Sequence, residues 1–312
     1  VPARRTAAPR PPSATPDRPV ARRTPQAPGS GADAGEGADP GVDADLARRE
    51  VRDDRGHVAA PAPPRAARRV AATWRRLATP TATPQPFGPV DDRLPSPVHR
   101  WLTRAVAPDA PSSTAAVLEM SGRIRVGSWR PFTARQVLAA DRGFVWAAVA
   151  RFGPLPVLGY DAYAQDEDVA EMRWRLAGVL PVVTASGEDV RRSAAGRLAG
   201  ELVLNPGTAL APHVRWEAVD DRHALARVAL GGVEHAVTVA VDDDGTLRSV
   251  RLPRWGDPDG TGSALHEFEA RCTGDRAFGG YRLPAHVEAG WDLDAPGGEP
   301  FIVFDVDGAR FL

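Results

Sequence analysis

Arg197 and Glu201 stand four residues apart in a stretch with helical spacing, beside Leu198 and Leu202. Residues at i and i+4 meet on one face of a helix, and such an ion pair on an open surface is worth roughly 0.2–0.5 kcal/mol. Next to an apolar stripe the same pair has a second use, which is to orient the polar end of a ligand. The other reactive groups have plainer readings. His266-Glu267-Phe268-Glu269 contains metal-ligand types, but neighbours on a strand face opposite sides and cannot share an ion. Asp242-Asp243-Asp244-Gly245 and Asp257-Pro258-Asp259-Gly260 look like calcium loops without the alternate oxygen ligands and closing glutamate of an EF-hand. Asp-Gly is turn chemistry there. Ser186 precedes a helix and reads as its N-cap rather than a nucleophile. Cys272 reads as a small core residue. No G-x-G-x-x-G, G-x-x-x-x-G-K or G-x-S-x-G motif is present. No metal, cofactor or catalytic residue is expected, and an enzyme is the less favoured reading.

The elements that must position Arg197 and Glu201 begin well inside the chain. Residues 1–88 are dominated by Pro, Ala, Arg, Gly and Asp and nearly lack large apolar side chains. Such a segment buries too little surface to offset its conformational entropy, so a disordered tail is expected. Its deletion is expected to leave the thermal midpoint nearly unchanged. Within it, 65–78 has the spacing of a transient helix carrying Val70, Trp74 and Leu77. Residues 1–90 hold 15 Arg against 9 acidic residues, which makes the tail a candidate tether for an acidic partner or a membrane surface. Residues 91–312 hold 24 Arg against 31 acidic residues, a poor nucleic-acid surface. One cysteine permits no intramolecular disulfide and fits a reducing compartment, so a cytoplasmic location is expected. No apolar run is long enough for a transmembrane helix.

Order is expected to begin with a short helix from Ser96, with Pro97 at its first turn and Val98, Trp101, Leu102 and Ala105 on one face. A strand at 115–126 follows, then a turn at 129–133 and a short helix at 134–140 containing Gln136. Further strands are expected at 143–152, 156–165 and 168–177. In the last, Ala170, Met172, Trp174 and Leu176 point one way, and Glu171, Arg173 and Arg175 the other. An apolar linker at 178–183 leads to a helix at 188–204 with Val190, Ala194, Leu198, Leu202 and Val203 as its stripe. Strands then resume to the C-terminus, joined by short glycine turns that imply antiparallel pairing.

Five segments in order make a more specific pattern: Leu94 to Leu102, Trp129 to Gln136, Pro181 to Gly187, Trp216 to Asp221 and Gly280 to Pro284. With them, residues 94–312 resemble a bacterial family of unknown function. The resemblance implies a sheet like the half-barrel of bacterial lipoprotein carriers, curved, antiparallel and closed on its concave side by helices. It implies no activity. The expected architecture is a single α+β domain over 89–312, a half-barrel of about ten strands with a capping helix. Trp146, Met172, Trp174, Leu176 and Trp216 are expected inside it, facing Leu198 and Leu202, with Arg197 and Glu201 at the edge. Such a concavity suits an apolar small molecule or lipid. A structural or interaction protein with a solid core and, less favoured, a hydrolase are the alternatives. A cavity above about 300 Å³ separates the carrier from the solid core.

Overall fold

Period-two alternation organises most of the chain. The computed structural model describes residues 61–312. Six strands come first: β1 (Ala116–Val126), β2 (Ser128–Ala139), β3 (Gly143–Phe152), β4 (Leu155–Ala164), β5 (Val169–Leu176) and β6 (Leu180–Ser186). Seven follow a long crossover: β7 (Val214–Ala218), β8 (His223–Leu230), β9 (Val233–Val241), β10 (Leu247–Gly256), β11 (Ala264–Phe278), β12 (Tyr281–Trp291) and β13 (Ile302–Phe311). All thirteen form one antiparallel sheet in the order β6-β5-β4-β3-β2-β1-β13-β12-β11-β10-β9-β8-β7. The first and last strands therefore meet in the middle, and the crossover joins the two outer edges. Register shifts at Glu119/Met120, Trp174/Arg175 and Leu247/Ser249 add the local bend that bulges bring to a sheet.

Three helices complete the described residues: α1 (Ala71–Leu77), α2 (Ser96–Ala105) and α3 (Glu188–Gly200), with short 3-10 turns at Arg65–Val70, Glu201–Leu204 and Pro206–Thr208. The crossover helix α3 lies on the concave face. Its inward side is small, and the Gly200 backbone sits where an added Cβ would come within 3.3 Å of Leu252. That lets α3 press against β10 while Leu198 and Leu202 enter the main core. Val98, Trp101, Leu102 and Ala105 of α2 join the same core, as their spacing predicts. At that end Trp101 meets Trp216 edge-on at 6.1 Å.

Several sequence expectations need correction. Residues 129–139 are not a turn and helix but part of β2, paired with β1 from Ala116↔Leu138 to Val126↔Ser128. Two strand neighbours outweigh the good helix propensity of Ala-Arg-Gln-Val-Leu. Residues 180–186, read as a linker and cap, form the edge strand β6, and α3 starts after Gly187 at φ 106° with no side-chain cap. The helix expected at 188–204 ends as a 3-10 turn. The strands number thirteen where about ten were counted.

The tail boundary also moves. Residues 65–78 pack on the convex face, where Ala67, Val70, Trp74 and Leu77 cover Val117, Val137, Val145, Ala147 and Ala162. Trp74 is 0% exposed and donates its indole N–H to the Pro61 carbonyl at 2.8 Å. Arg142 donates to the Arg76, Leu77 and Thr79 carbonyls, closing the helix C-terminus. Arg76 pairs with Asp166 and Glu167 in the β4–β5 turn. Residues 1–60 of the tail expected over 1–88, and with them that part of the candidate tether, lie outside the described residues.

Candidate functional site

A hollow of about 370 Å³ lies between α3 and the concave face. Protein interiors are normally packed to crystal density, so an apolar space of this size is a feature of the fold rather than a packing residue. Its walls come from both halves of the sheet. Trp146, Phe152, Met172 and Trp174 belong to the first half, and Leu252, Phe268, Val287, Trp291 and Phe304 to the second. From the crossover come Arg197, Gly200, Glu201, Val203 and Leu204. The hollow reaches solvent where Val182 and Val183 of β6, 50% and 41% exposed, form its rim. Pro181 in that edge strand lacks the N–H that another strand would need, which blunts the edge.

A polar chain crosses the ceiling. Trp174 donates its Nε1 hydrogen to Asp161 Oδ1 at 3.0 Å. Arg197 Nη1 donates to Asp161 Oδ2 at 3.1 Å, and Arg197 Nε donates to Glu201 Oε1 at 2.7 Å. Gln136, 1% exposed, donates from Nε2 to Glu201 Oε2 at 2.5 Å. Phe144 and Trp146 present ring faces to the Arg197 guanidinium, 4.5 and 5.4 Å from its carbon. Burial works against the charge on Arg197, but Glu201 and Asp161 outweigh it and raise its pKa. Burial pushes Asp161 up, opposed chiefly by Arg197 and by the Trp174 N–H. Gly159 makes this arrangement fit, since a Cβ there would collide with the Trp174 indole ring.

Among the residues expected from the sequence, Trp146, Met172, Trp174, Arg197 and Glu201 line this space together. Leu198 and Leu202 point into solid core beside it. Leu176 and Trp216 lie outside its lining. The Arg197–Glu201 pair is not a surface pair; its side chains are 19% and 17% exposed.

Residues 89–304 match the Family of unknown function (DUF6544). The chain belongs to that family. The five sequence segments named above all fall inside the matched span of DUF6544. No curated protein matches the chain. Among solved structures it is similar to the LolA superfamily protein NE2245 from Nitrosomonas europaea, at 10% identity and a TM-score of 0.34, over 70% of this chain and 92% of that one. It is also similar to a DUF1329 family protein from Desulfovibrio piger, at 14% identity and a TM-score of 0.30, over 64% and 86% of the two chains.

Sequence reasoning missed Asp161, Gln136 and Arg254. Each had a signal. Asp161 breaks the dry phase of Val157, Gly159 and Tyr163, and Arg254 continues the dry phase of Val250 and Leu252. Gln136 was hidden by the helix assignment, which erased its place between Ala134 and Leu138 on the inner face of β2.

Proposed function

We propose that this protein is a non-catalytic module that binds an apolar, lipid-like molecule between α3 and the sheet. The observation that carries the reading is the hollow itself. Its volume, about 370 Å³, falls in the usual range for ligand sites of roughly 300–1,000 Å³. Its walls are aromatic and aliphatic, with a few convergent polar groups, which is the usual composition of such sites. The polar chain through Asp161, Arg197, Glu201 and Gln136 satisfies itself and serves to position α3. Cys272 also lines the space, but burial pushes its thiol up to about 12, far from the thiolate that nucleophilic chemistry needs.

Two measurements test the proposal. Native mass spectrometry of the purified protein, with organic extraction, is expected to reveal a co-purifying apolar molecule. Nile red, a neutral apolar dye, is expected to gain fluorescence on binding the delipidated protein. Absence of both a co-purified molecule and dye binding would remove the carrier reading in favour of a structural role.

A further inference from the structure

Two arginines line the hollow, and they are not equivalent. Arg197 is held by Asp161 and Glu201. Arg254 has no carboxylate in ion-pair contact among the described residues. Its Nε and Nη2 donate to the Ser193 carbonyl at 3.1 Å and to Ser193 Oγ at 3.4 Å, both on α3. Its Nη1 has no acceptor among the described residues and keeps accessible surface. The guanidinium carbon lies 4.8 Å from the Phe268 ring centre and 5.2 Å from that of Trp291, and both rings line the same space. Gly196 leaves room for its stem, since an added Cβ would come within 3.2 Å of Arg254 Cγ.

Burial first, and the charge of Arg197 second, lower the Arg254 pKa to about 10. Asp161 and Glu201 act in the opposite direction from a distance, but their oxygens are already engaged by Arg197, Trp174 and Gln136. A cation is thus kept in a largely apolar space without a counter-ion, an unfavourable arrangement that an incoming anion relieves. A guanidinium offers paired donors matched to carboxylate and phosphate oxygens.

We infer, building on the carrier reading, that the ligand is a single-chain amphiphile whose anionic head, carboxylate or phosphate, is bound by Arg254 beside the Phe268–Trp291 pair. Its chain runs across the hollow towards Trp146 and Trp174. The test is displacement of bound Nile red by lauric acid, lauryl phosphate and lauryl alcohol, which share one chain and differ in the head. In the parent protein, at least one of the two anions is expected to displace the dye at a concentration about tenfold or more below that of the alcohol, as a charge-assisted hydrogen bond provides. The tighter anion identifies the head. Arg254→Met is expected to bind the dye and erase the preference, and Arg254→Lys to retain part of it. Equal displacement by all three in the parent would overturn the anionic head while leaving the carrier reading intact. A preference that survives in Arg254→Met would overturn the assignment to Arg254. The parent comparison and Arg254→Lys decide the matter even where the methionine variant does not fold. A parent that binds neither dye nor any of the three amphiphiles removes the carrier reading, and this inference with it.

Discussion

Arg197 carries two carboxylates with one guanidinium. Replacing it leaves Asp161 and Glu201 as uncompensated, mostly buried acids, and breaking a buried pair costs about 3–5 kcal/mol. Arg197→Met is therefore expected to lose that much in urea unfolding, far beyond a surface i, i+4 pair; a loss within about 0.5 kcal/mol would mean that the pair behaves as an exposed one. Cys272 gives a pH-dependent prediction. Burial raises its thiol from the ordinary 9.0 to about 12. Above about pH 9 the unfolded chain releases this proton while the folded chain keeps it, so the stabilisation is full below that pH and is lost as pH rises towards 12. The stability advantage of the parent over Cys272→Ala is expected to shrink progressively in that window. An advantage that stays constant from neutral pH to about 11 would show that the thiol is not buried as described.

The element that departs most from its sequence pattern is α1. It is short, basic and flanked by proline-rich chain, yet Trp74 is fully enclosed against the convex face. Strands β2 to β4 explain why. Val137, Val145, Ala147 and Ala162 put apolar side chains on a face that a half-barrel would otherwise leave wet, so the sheet needs a second cover. Trp74→Ala is expected to cost about 3–5 kcal/mol in chemical denaturation. Deleting residues 1–88 is expected to lower the thermal midpoint by several degrees, the reverse of what the composition of the tail implies. An unchanged midpoint would mean that α1 contributes no packing.

For the molecule as a whole, the hollow follows from chain topology. Because β1 pairs with β13, the first meander runs outward to β6 and the second runs inward from β7, so the chain must cross from one edge to the other over the concave face. That return is α3. Its small face sits close to β10, while the curved sheet under its other side stays unfilled. Two bulky substitutions separate solid from hollow regions. Leu198→Trp, in packed core, is expected to lose about 1–3 kcal/mol by overpacking. Ala270→Phe, on the floor of the hollow, is expected to leave the thermal midpoint nearly unchanged and to reduce Nile red uptake. Equal losses of stability in both variants would show that the space is already filled by protein.

Local patterns were enough for most of the strands and for the two helices that close the concave side. Alternation such as Ala170, Met172, Trp174 and Leu176 against Glu171, Arg173 and Arg175 reports backbone period and facing direction, both of which are properties of a few consecutive residues. It also brought Trp146, Met172 and Trp174 into one wall. Three outcomes were beyond its reach. Residues 129–139 became strand because β1 and β3 flank them, and 65–78 became a structural helix because strands much further along the chain were apolar on both faces. Whether the dry faces meet as solid core or enclose a space depends on curvature and volume summed over both meanders, and no window of sequence contains that sum. The same holds for Arg254. Its lack of an acidic partner emerges only when Asp161 and Glu201, from β4 and from the turn after α3, have been claimed by Arg197 in three dimensions.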